Sequence, residues 1–338
     1  MLKHNSSVRK IIKEIEYIAN NAINHDDFNK ALKLVQNFGQ PLKYKNGILY
    51  TLASLSFSVF LWVLYITYYS DYDKTWGEYH SYILVASAAI TLMSLSVCLF
   101  RRSRMKKISH KIYTGIALLD YGIHPQPLNS GIAHNNLENF VEFNRGNYSR
   151  QIMYEYPTLS DTVPAFSFYK FEFVDEVETE ETTTDSKGNT TTTKKTRYDH
   201  YYRYGIMTDY SYFKNIAVIS SGIVPHATKY KASSIEFSKY FKLGAMNELE
   251  LSKWLKPTIV ELLLNARNTF KKLNIEIDQQ GVMCISFSDD DVISGKYHYN
   301  LESISEFSDE ISEKNKLPKL EKLMTLHQNI IKYTNNNF

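Results

Sequence analysis

Hydrophobic positions along this chain follow three patterns, and each predicts a different kind of element. Two uncharged apolar runs dominate the stretch from Ile48 to Phe100: no charged residue occurs over 46–70 or over 79–100. Each run can cross ~30 Å of hydrocarbon as one helix of about 20 residues, so 48–101 reads as a two-helix transmembrane hairpin. Ahead of it, Ser7 stands as a capping residue before Ile11, Ile12, Ile15 and Ile18, which recur at helical spacing. Asp26 and Asp27 then open a second helix through Phe28, Leu32, Leu34 and Val35, which Gly39 and Pro41 close. Residues 1–47 are thus an N-terminal helical segment.

Helical spacing resumes from Ile108 to Tyr121, as a possible continuation of the second membrane helix, and stops at Gly122 and Pro125. Asn129 to Asn136 is rich in turn formers and marks a soft boundary. Leu137, Phe140, Val141 and Phe143 fit a short helix or a strand equally well. From Pro164 the period changes to two, with Phe166, Phe168, Phe171 and Phe173, then Tyr202, Tyr204 and Ile206; this is sheet. A short strand over 215–221 and an extended stretch through Ile235, Phe237 and Phe241 follow. Residues 249–255 lead into Pro257, which suits a first helical turn, and Ile259, Leu262, Leu263, Ala266 and Phe270 give that helix a buried stripe. Ile275 and Ile277 face Val282 to Phe287 across Gln279-Gln280-Gly281 as a hairpin. Residues 301–333 are helical in pattern with a break at Pro318. The fold class is α+β: a helical segment (1–47), the hairpin (48–101), and a cytoplasmic α+β domain (102–338) with an antiparallel sheet and a long β-hairpin.

That long hairpin is read from charge. Between Glu178 and Arg197 a Thr-rich run carries acids on one side of Asp185-Ser186-Lys187-Gly188-Asn189 and bases on the other. Folding it about Lys187-Gly188 sets Glu181 against Lys194, Glu180 against Lys195 and Glu178 against Arg197. Opposite charges across an antiparallel ladder favour pairing by a few tenths of a kcal/mol each, and disorder gives no reason for matched signs. In that register Glu176 approaches Asp199, which calls for a bulge or an end to regular pairing there. These six charged residues are candidates for a protein-interaction surface.

Composition adds orientation. With 338 residues, 43% hydrophobic and 14% aromatic, the chain can bury a core besides spanning a bilayer. The net charge of +3 hides an asymmetry. Residues 1–47 hold eight Lys/Arg against four Asp/Glu, and 101–111 hold six against none. The loop 71–80 holds Asp71, Asp73 and Glu78 against Lys74, and by difference 112–338 is about −5. Lys/Arg beside membrane helices stay on the cytoplasmic side, so the expected location is the inner membrane with both termini cytoplasmic. The polar residues before the first apolar run do not resemble a cleaved signal. Cys98 and Cys284 are the two cysteines and form no CxxC, which fits a reducing compartment. The basic cluster after Phe100 is accounted for by topology and by anionic headgroups, so membrane lipid is an expected partner and nucleic acid is not.

Small and hydroxyl residues repeat at helical spacing in both apolar runs: Thr51, Ser54 and Ser58 in the first, and Ser87, Thr91, Ser94 and Cys98 in the second. Such stripes let membrane helices approach closely and hydrogen-bond, so they are candidate packing positions within the hairpin or against a neighbouring subunit. A water-filled path is disfavoured because neither span carries a charge. Soluble chemistry is sparse. Asp289-Asp290-Asp291 could hold a divalent cation but reads better as a solvated turn. The ten histidines never fall at HxxxH or HxH spacing, and no P-loop, dinucleotide or nucleophile-elbow motif occurs. Tyr198, Tyr201, Tyr202, Tyr204, Tyr210 and Tyr212 could stack on bases or sugars, though alternation in a half-buried sheet explains most of them. No catalytic residue, cofactor or metal ligand is assigned.

The segment Ile235-Glu236-Phe237-Ser238-Lys239-Tyr240-Phe241, then Leu255-Lys256-Pro257 opening an apolar helix, then a hairpin ending Cys284-Ile285-Ser286-Phe287, resembles the bacterial domain of unknown function family 3137. The resemblance covers roughly 107–310 and implies two membrane helices near the N-terminus with a cytoplasmic α+β domain; it brings no active site. The expectation is a membrane-anchored, non-catalytic scaffold or adaptor that binds another protein or its own copies. An oligomeric channel or permeabilising effector, and an enzyme with an atypical site, are the alternatives.

Overall fold

The computed structural model describes residues 2–69, 77–159, 165–184, 190–313 and 316–335. The chain divides into two compact units, one of residues 1–116 with 297–313 and the other of residues 117–296 with 314–338.

The first unit is helical. α1 (Leu2–Asn21) and α2 (His25–Asn37) form an antiparallel pair that buries Val8, Ile12, Ile15 and Ala19 with Phe28, Ala31, Leu32 and Val35. Asn24 caps α2, accepting from the Asp27 N–H at 3.0 Å, and Gly39 ends it at φ +66°. α1 begins earlier than its sequence predicts: Ser7 lies inside it, and its hydroxyl donates to the Lys3 carbonyl rather than capping. Two long apolar helices follow, α3 (Gly47–Tyr69) and α4 (Gly77–Asp120). Both are long and apolar enough to cross a membrane, and only 17% of each apolar window is buried. The helical pattern of 108–121 is one with the second apolar run, since α4 passes through the basic cluster without a break. Gly115 lets α4 meet α2, because a Cβ there would strike the Phe28 ring. A later helix, α9 (Ile304–Ser312), packs on α2 through Phe307 and Ile311.

The second unit is built on a seven-stranded, wholly antiparallel sheet in the order β1-β2-β3-β7-β6-β4-β5. Its strands are β1 (Ser149–Pro157), β2 (Ser167–Thr184), β3 (Thr190–Asp209), β4 (Ile216–Ile219), β5 (Lys242–Ala245), β6 (Asn274–Ile277) and β7 (Val282–Phe287). One face is apolar. Phe168, Ile206, Ile285, Ile275 and Val218 sit in successive registered positions in a core shared with helices α7 (Glu248–Trp254), α8 (Pro257–Ala266) and α10 (Pro318–Asn335). Within that core the Trp254 indole N–H donates to the Tyr210 hydroxyl at 3.0 Å, so two large rings are buried with their polar atoms satisfied. The other face carries Tyr169, Phe171, Met207 and Cys284 beneath the segment 131–146, which contributes Ala133, Phe140 and Phe143. Gly205 serves this face, since a Cβ there would meet the Ile285 carbonyl and the Tyr169 ring.

Four further points differ from the sequence reading. Residues 235–240 are a helix, α6 (Ile235–Tyr240), and not an extended stretch: Ser234 caps it, its hydroxyl accepting the Phe237 N–H at 3.2 Å, and the Phe237 ring lies tilted against that of Phe241 one turn later at 4.8 Å between rings. β1 has no counterpart in the sequence reading, because a bulge between Ile152 and Tyr154 breaks its period. The bulge turns Ile152 to one face of the sheet and Tyr154 to the other. The ambiguous 137–143 stretch is irregular chain ending in a single 3-10 turn, Val141–Phe143.

The fourth difference concerns the long hairpin, whose pairing is shifted by one residue. Glu180 is opposite Lys194, but Glu181 is opposite Thr193, Glu178 opposite Thr196 and Val177 opposite Arg197. Pairing continues without a bulge from Ser167↔Met207 to Thr184↔Thr190, with Asp175 facing Asp199. Arg197 relieves that like-charge pair by bonding Asp199 on its own strand at 2.8 Å. The turn 185–189, with the fold point Lys187-Gly188, lies outside the described residues, as do Pro164, Asp71, Asp73 and Lys74.

Candidate functional site

Strand alternation places the polar residues Arg203, Asn274, Glu276 and Ser286 on the sheet face under the segment 131–146, where each is buried. A buried charge is tolerated only when paired and hydrogen-bonded, and here the partner comes from the 3-10 turn. The Glu142 carboxylate, fully enclosed, accepts from Arg203 Nε, from Arg145 Nη2 at 2.9 Å and from Asn274 Nδ2 at 2.9 Å. Arg203 is saturated on its other side by Ser288 Oγ at 2.8 Å and by Ser286 Oγ and the Lys272 carbonyl, both at 3.0 Å.

Glu276 completes the cluster by accepting the Val141 and Glu142 backbone N–H groups at 3.0 and 2.9 Å. A third carboxylate, Glu155, accepts the Ala133 and His134 N–H groups at 3.1 and 3.3 Å and the His134 ring at 2.8 Å. Segment 131–146 is therefore pinned to the sheet by side-chain carboxylates that satisfy backbone donors no strand or long helix could take.

The two central acids are driven apart. Burial alone would raise the Glu142 carboxyl, but the Arg203 and Arg145 charges outweigh it and hold the group below its usual range. Burial and then the Glu142 charge push Glu276 up to about 7. Glu276 lies on the wall between two cavities. The larger, about 450 Å³, also exposes Glu138, Asp278, His226 and Asn215. The smaller, about 300 Å³, exposes Arg145, Asn144, Phe173 and Ile223. A carboxyl near neutrality beside a cavity has the charge properties of a general acid or base. Both of its oxygens are engaged by the turn, however, so the arrangement acts first as a clamp.

The residues singled out from sequence lie elsewhere. On the hairpin, Glu180 and Lys194 approach to 3.5 Å, Glu181 pairs diagonally with Lys195, and Glu178 forms no ion pair among the described residues. All six candidates, Arg197 included, are exposed. In the apolar helices Ser87, Ser94 and Cys98 are buried and Thr91 half-buried, whereas Thr51, Ser54 and Ser58 are exposed. Thr51 and Ser58 donate to their own helix, to the Gly47 and Ser54 carbonyls. The buried hydroxyl of α3 is Ser56, beside Ala53 and Val63. Asp289 and Asp291 share the Lys319 ammonium at 2.9 and 2.6 Å. Tyr204 and Tyr210 are buried, and Tyr198, Tyr201, Tyr202 and Tyr212 exposed.

Glu142, Arg203, Asn274 and Glu276 escaped the sequence reading. Their signal was a polar residue inside an apolar pattern, as in Phe140-Val141-Glu142-Phe143 and Asn274-Ile275-Glu276-Ile277, which strand alternation alone explains as a solvated face.

Fold and site together define an α+β chain: helices including two long apolar ones, then a seven-strand antiparallel sheet bearing a long hairpin and a buried ionic clamp. No protein-family profile matches it, and neither a curated protein nor a solved structure is significantly similar.

Proposed function

We propose that this is a membrane-anchored, non-catalytic adaptor whose cytoplasmic α+β domain presents the β2–β3 ribbon to another protein or to further copies of itself. The observation that carries the reading is the ribbon's isolation. β1 leaves β2 at Val174, past which the Asn147 side chain takes up the Glu176 N–H and carbonyl, and β7 leaves β3 at Tyr204, so from Glu178 outward the two strands pair with each other and with no third strand among the described residues. From Glu178 and Arg197 outward every side chain described is exposed. Free edges are templates for strand addition, and an unsupported two-stranded ribbon is only marginally stable in water. A contact surface gives both features a purpose. The anchor is α3 with the first part of α4, in the cytoplasmic-termini orientation set by the Lys/Arg asymmetry, in the architecture of the family resembled.

Photo-crosslinkers placed singly at Glu178, Glu180 and Lys195 in native membranes test this. A discrete adduct from these positions, absent for a probe at exposed Lys239, is expected. No adduct from any of the three ribbon positions overturns the adaptor reading.

A second reading, an enzyme with an atypical site, has Glu276 in its favour, a carboxyl pushed to about 7 on the wall of a 450 Å³ cavity. Binding of small polar metabolites that Glu276→Gln abolishes while the fold persists is its test.

A further inference from the structure

We propose that a cavity between α1 and α4 binds the phosphate of an anionic phospholipid. The cavity, about 570 Å³, is lined by three guanidinium groups, Arg9 from α1 and Arg101 and Arg104 from α4, together with Tyr44. Arg101 is the first charged residue after the uncharged run 79–100. It is held in place by donating Nη1 to Asn46 Oδ1 at 2.6 Å and by lying over the Tyr44 ring, 4.7 Å from its centroid. Its remaining N–H groups meet no acceptor among the described residues. Arg104 is paired with Glu16, and Arg9 has no acidic partner among the described residues. Three cations thus meet one carboxylate, and the excess calls for an anion. Guanidinium forks match phosphate oxygens in bidentate geometry.

The same cavity names the source of the phosphate. Its wall continues onto Val97 and Phe100, 41% and 68% exposed, which offer an acyl chain an apolar track that a soluble phosphate ester would not use. A second cavity of about 350 Å³ shares Tyr44 and Arg101 and adds Lys43 and Arg102 against the single acid Glu302, so cations remain in excess beside the end of the apolar run. Being specific to one pocket, this goes beyond the general attraction of a basic cluster to acidic headgroups. It rests on the reading of α3 and α4 as a membrane hairpin.

The full chain, purified and reconstituted in nanodiscs of phosphatidylcholine with or without phosphatidylglycerol, is examined by native mass spectrometry for lipid retained after release. Selective retention of phosphatidylglycerol by the wild type is expected. Arg9→Gln with Arg101→Gln should lower its occupancy by about tenfold or more, since two guanidinium donors are removed and the loss of even one charge-assisted bond has that effect. Lys106→Gln with Lys107→Gln, exposed and outside the cavity, should change it less than about twofold. Equal loss from both pairs would show non-specific attraction and overturn the site. Displacement of the lipid by millimolar glycerol phosphate would overturn the lipid assignment in favour of a soluble ester. Absence of selectivity in the wild type overturns the proposal without reference to any variant. Alkaline extraction separates the two readings: a chain that leaves the membrane refutes the anchor and the lipid site together, whereas one that stays but shows no selectivity refutes the site alone.

Discussion

Ser56 Oγ on α3 lies 2.8 Å from Thr91 Oγ1 on α4, a hydroxyl–hydroxyl bond joining the two long apolar helices. Carbonyls of its own helix also lie within reach of each hydroxyl, Leu52 and Ala53 for Ser56 and Ser87 for Thr91; a hydroxyl has one proton, so whichever donates across the pair releases its own carbonyl while the other keeps its backbone bond. Interhelical bonds of this kind contribute ~0.6 kcal/mol on average in membrane helices. Thr91→Val should lower hairpin stability by about that amount, and Ser58→Ala, on the exposed side, by less. Leu at Ser87 or Ser94 should do more harm than Leu at Ala89 or Ser96, because the first two are buried and the second two are not. Thermal unfolding in a mild detergent measures all of these; equal tolerance at the four positions would refute the contact's importance.

Removing Arg203 leaves the enclosed Glu142 carboxylate with Arg145 and Asn274 alone, so that its buried charge is only partly compensated. Arg203→Met should therefore destabilise the second unit by about 3–5 kcal/mol, whereas the double variant Arg203→Met with Glu142→Leu should recover much of the loss. Denaturant unfolding of the two variants side by side gives the comparison. A double variant no better than the single would mean that the turn depends on more than the charge pair.

Glu276 and His327 make opposite contributions to pH dependence. Glu276 is raised from 4.5 to about 7 in the fold, so between those values the native state holds a proton that the unfolded chain has lost, and stability falls as pH rises through that window. Glu276→Gln should flatten that limb. A slope unchanged by the variant would show that the group titrates normally.

His327 is wholly buried, with neither ring nitrogen hydrogen-bonded to any of the described residues, and packs edge-to-face with Phe166 at 5.4 Å between rings. Burial lowers its ionisation from 6.5 to about 4, so the unfolded chain takes a proton first and stability is lost as pH falls from 6.5 to 4. His327→Leu should remove this acid sensitivity. It should also add ~1 kcal/mol at neutral pH, since two unsatisfied polar atoms leave the core. Titration of stability by circular dichroism separates the two residues, because over pH 4.5–6.5, where their windows overlap, the two variants change the slope in opposite directions.

The hairpin register is testable through Glu180 and Lys194, which the shifted pairing places directly opposite. Glu180→Lys alone should speed amide exchange along 178–182 and 192–196, and Lys194→Glu added to it should restore protection. Exposed pairs are worth only a few tenths of a kcal/mol, so the expected change is about twofold in exchange rate. Rescue of Glu180→Lys by Lys195→Glu in place of Lys194→Glu would favour the unshifted register.

The ribbon shows how charge patterning can reveal a pairing without its alignment. Matched signs over 178–197 identify an antiparallel hairpin, but cross-strand attraction is small and tolerates a shift of one residue. The register is decided by the aromatic base, where Phe168 meets Ile206 and Phe173 meets Tyr201, with Phe173 and Tyr201 stacked at 5.2 Å. A one-residue slip would turn every core residue of these strands to the wrong face. The same limit applied to 235–241, whose apolar spacing fits two periods until Phe237 is buried and Ile235 is left 79% exposed.

Consecutive residues were enough to establish the two uncharged apolar helices, the α1–α2 pair, the Pro257 helix start and the Gln279-Gln280-Gly281 hairpin, because each rests on a local period or a local backbone preference. Strand order could not be read this way, since β3 lies beside β7 and β4 beside β6, neighbours chosen by packing over many residues of separation. Nor could the clamp. Glu142, Arg203 and Glu276 sit far apart in the chain, and a lone charge in an apolar run looks the same whether it faces water or a partner. Only when the turn at 141–143 closes over the sheet do burial and proximity make those three charges depend on one another.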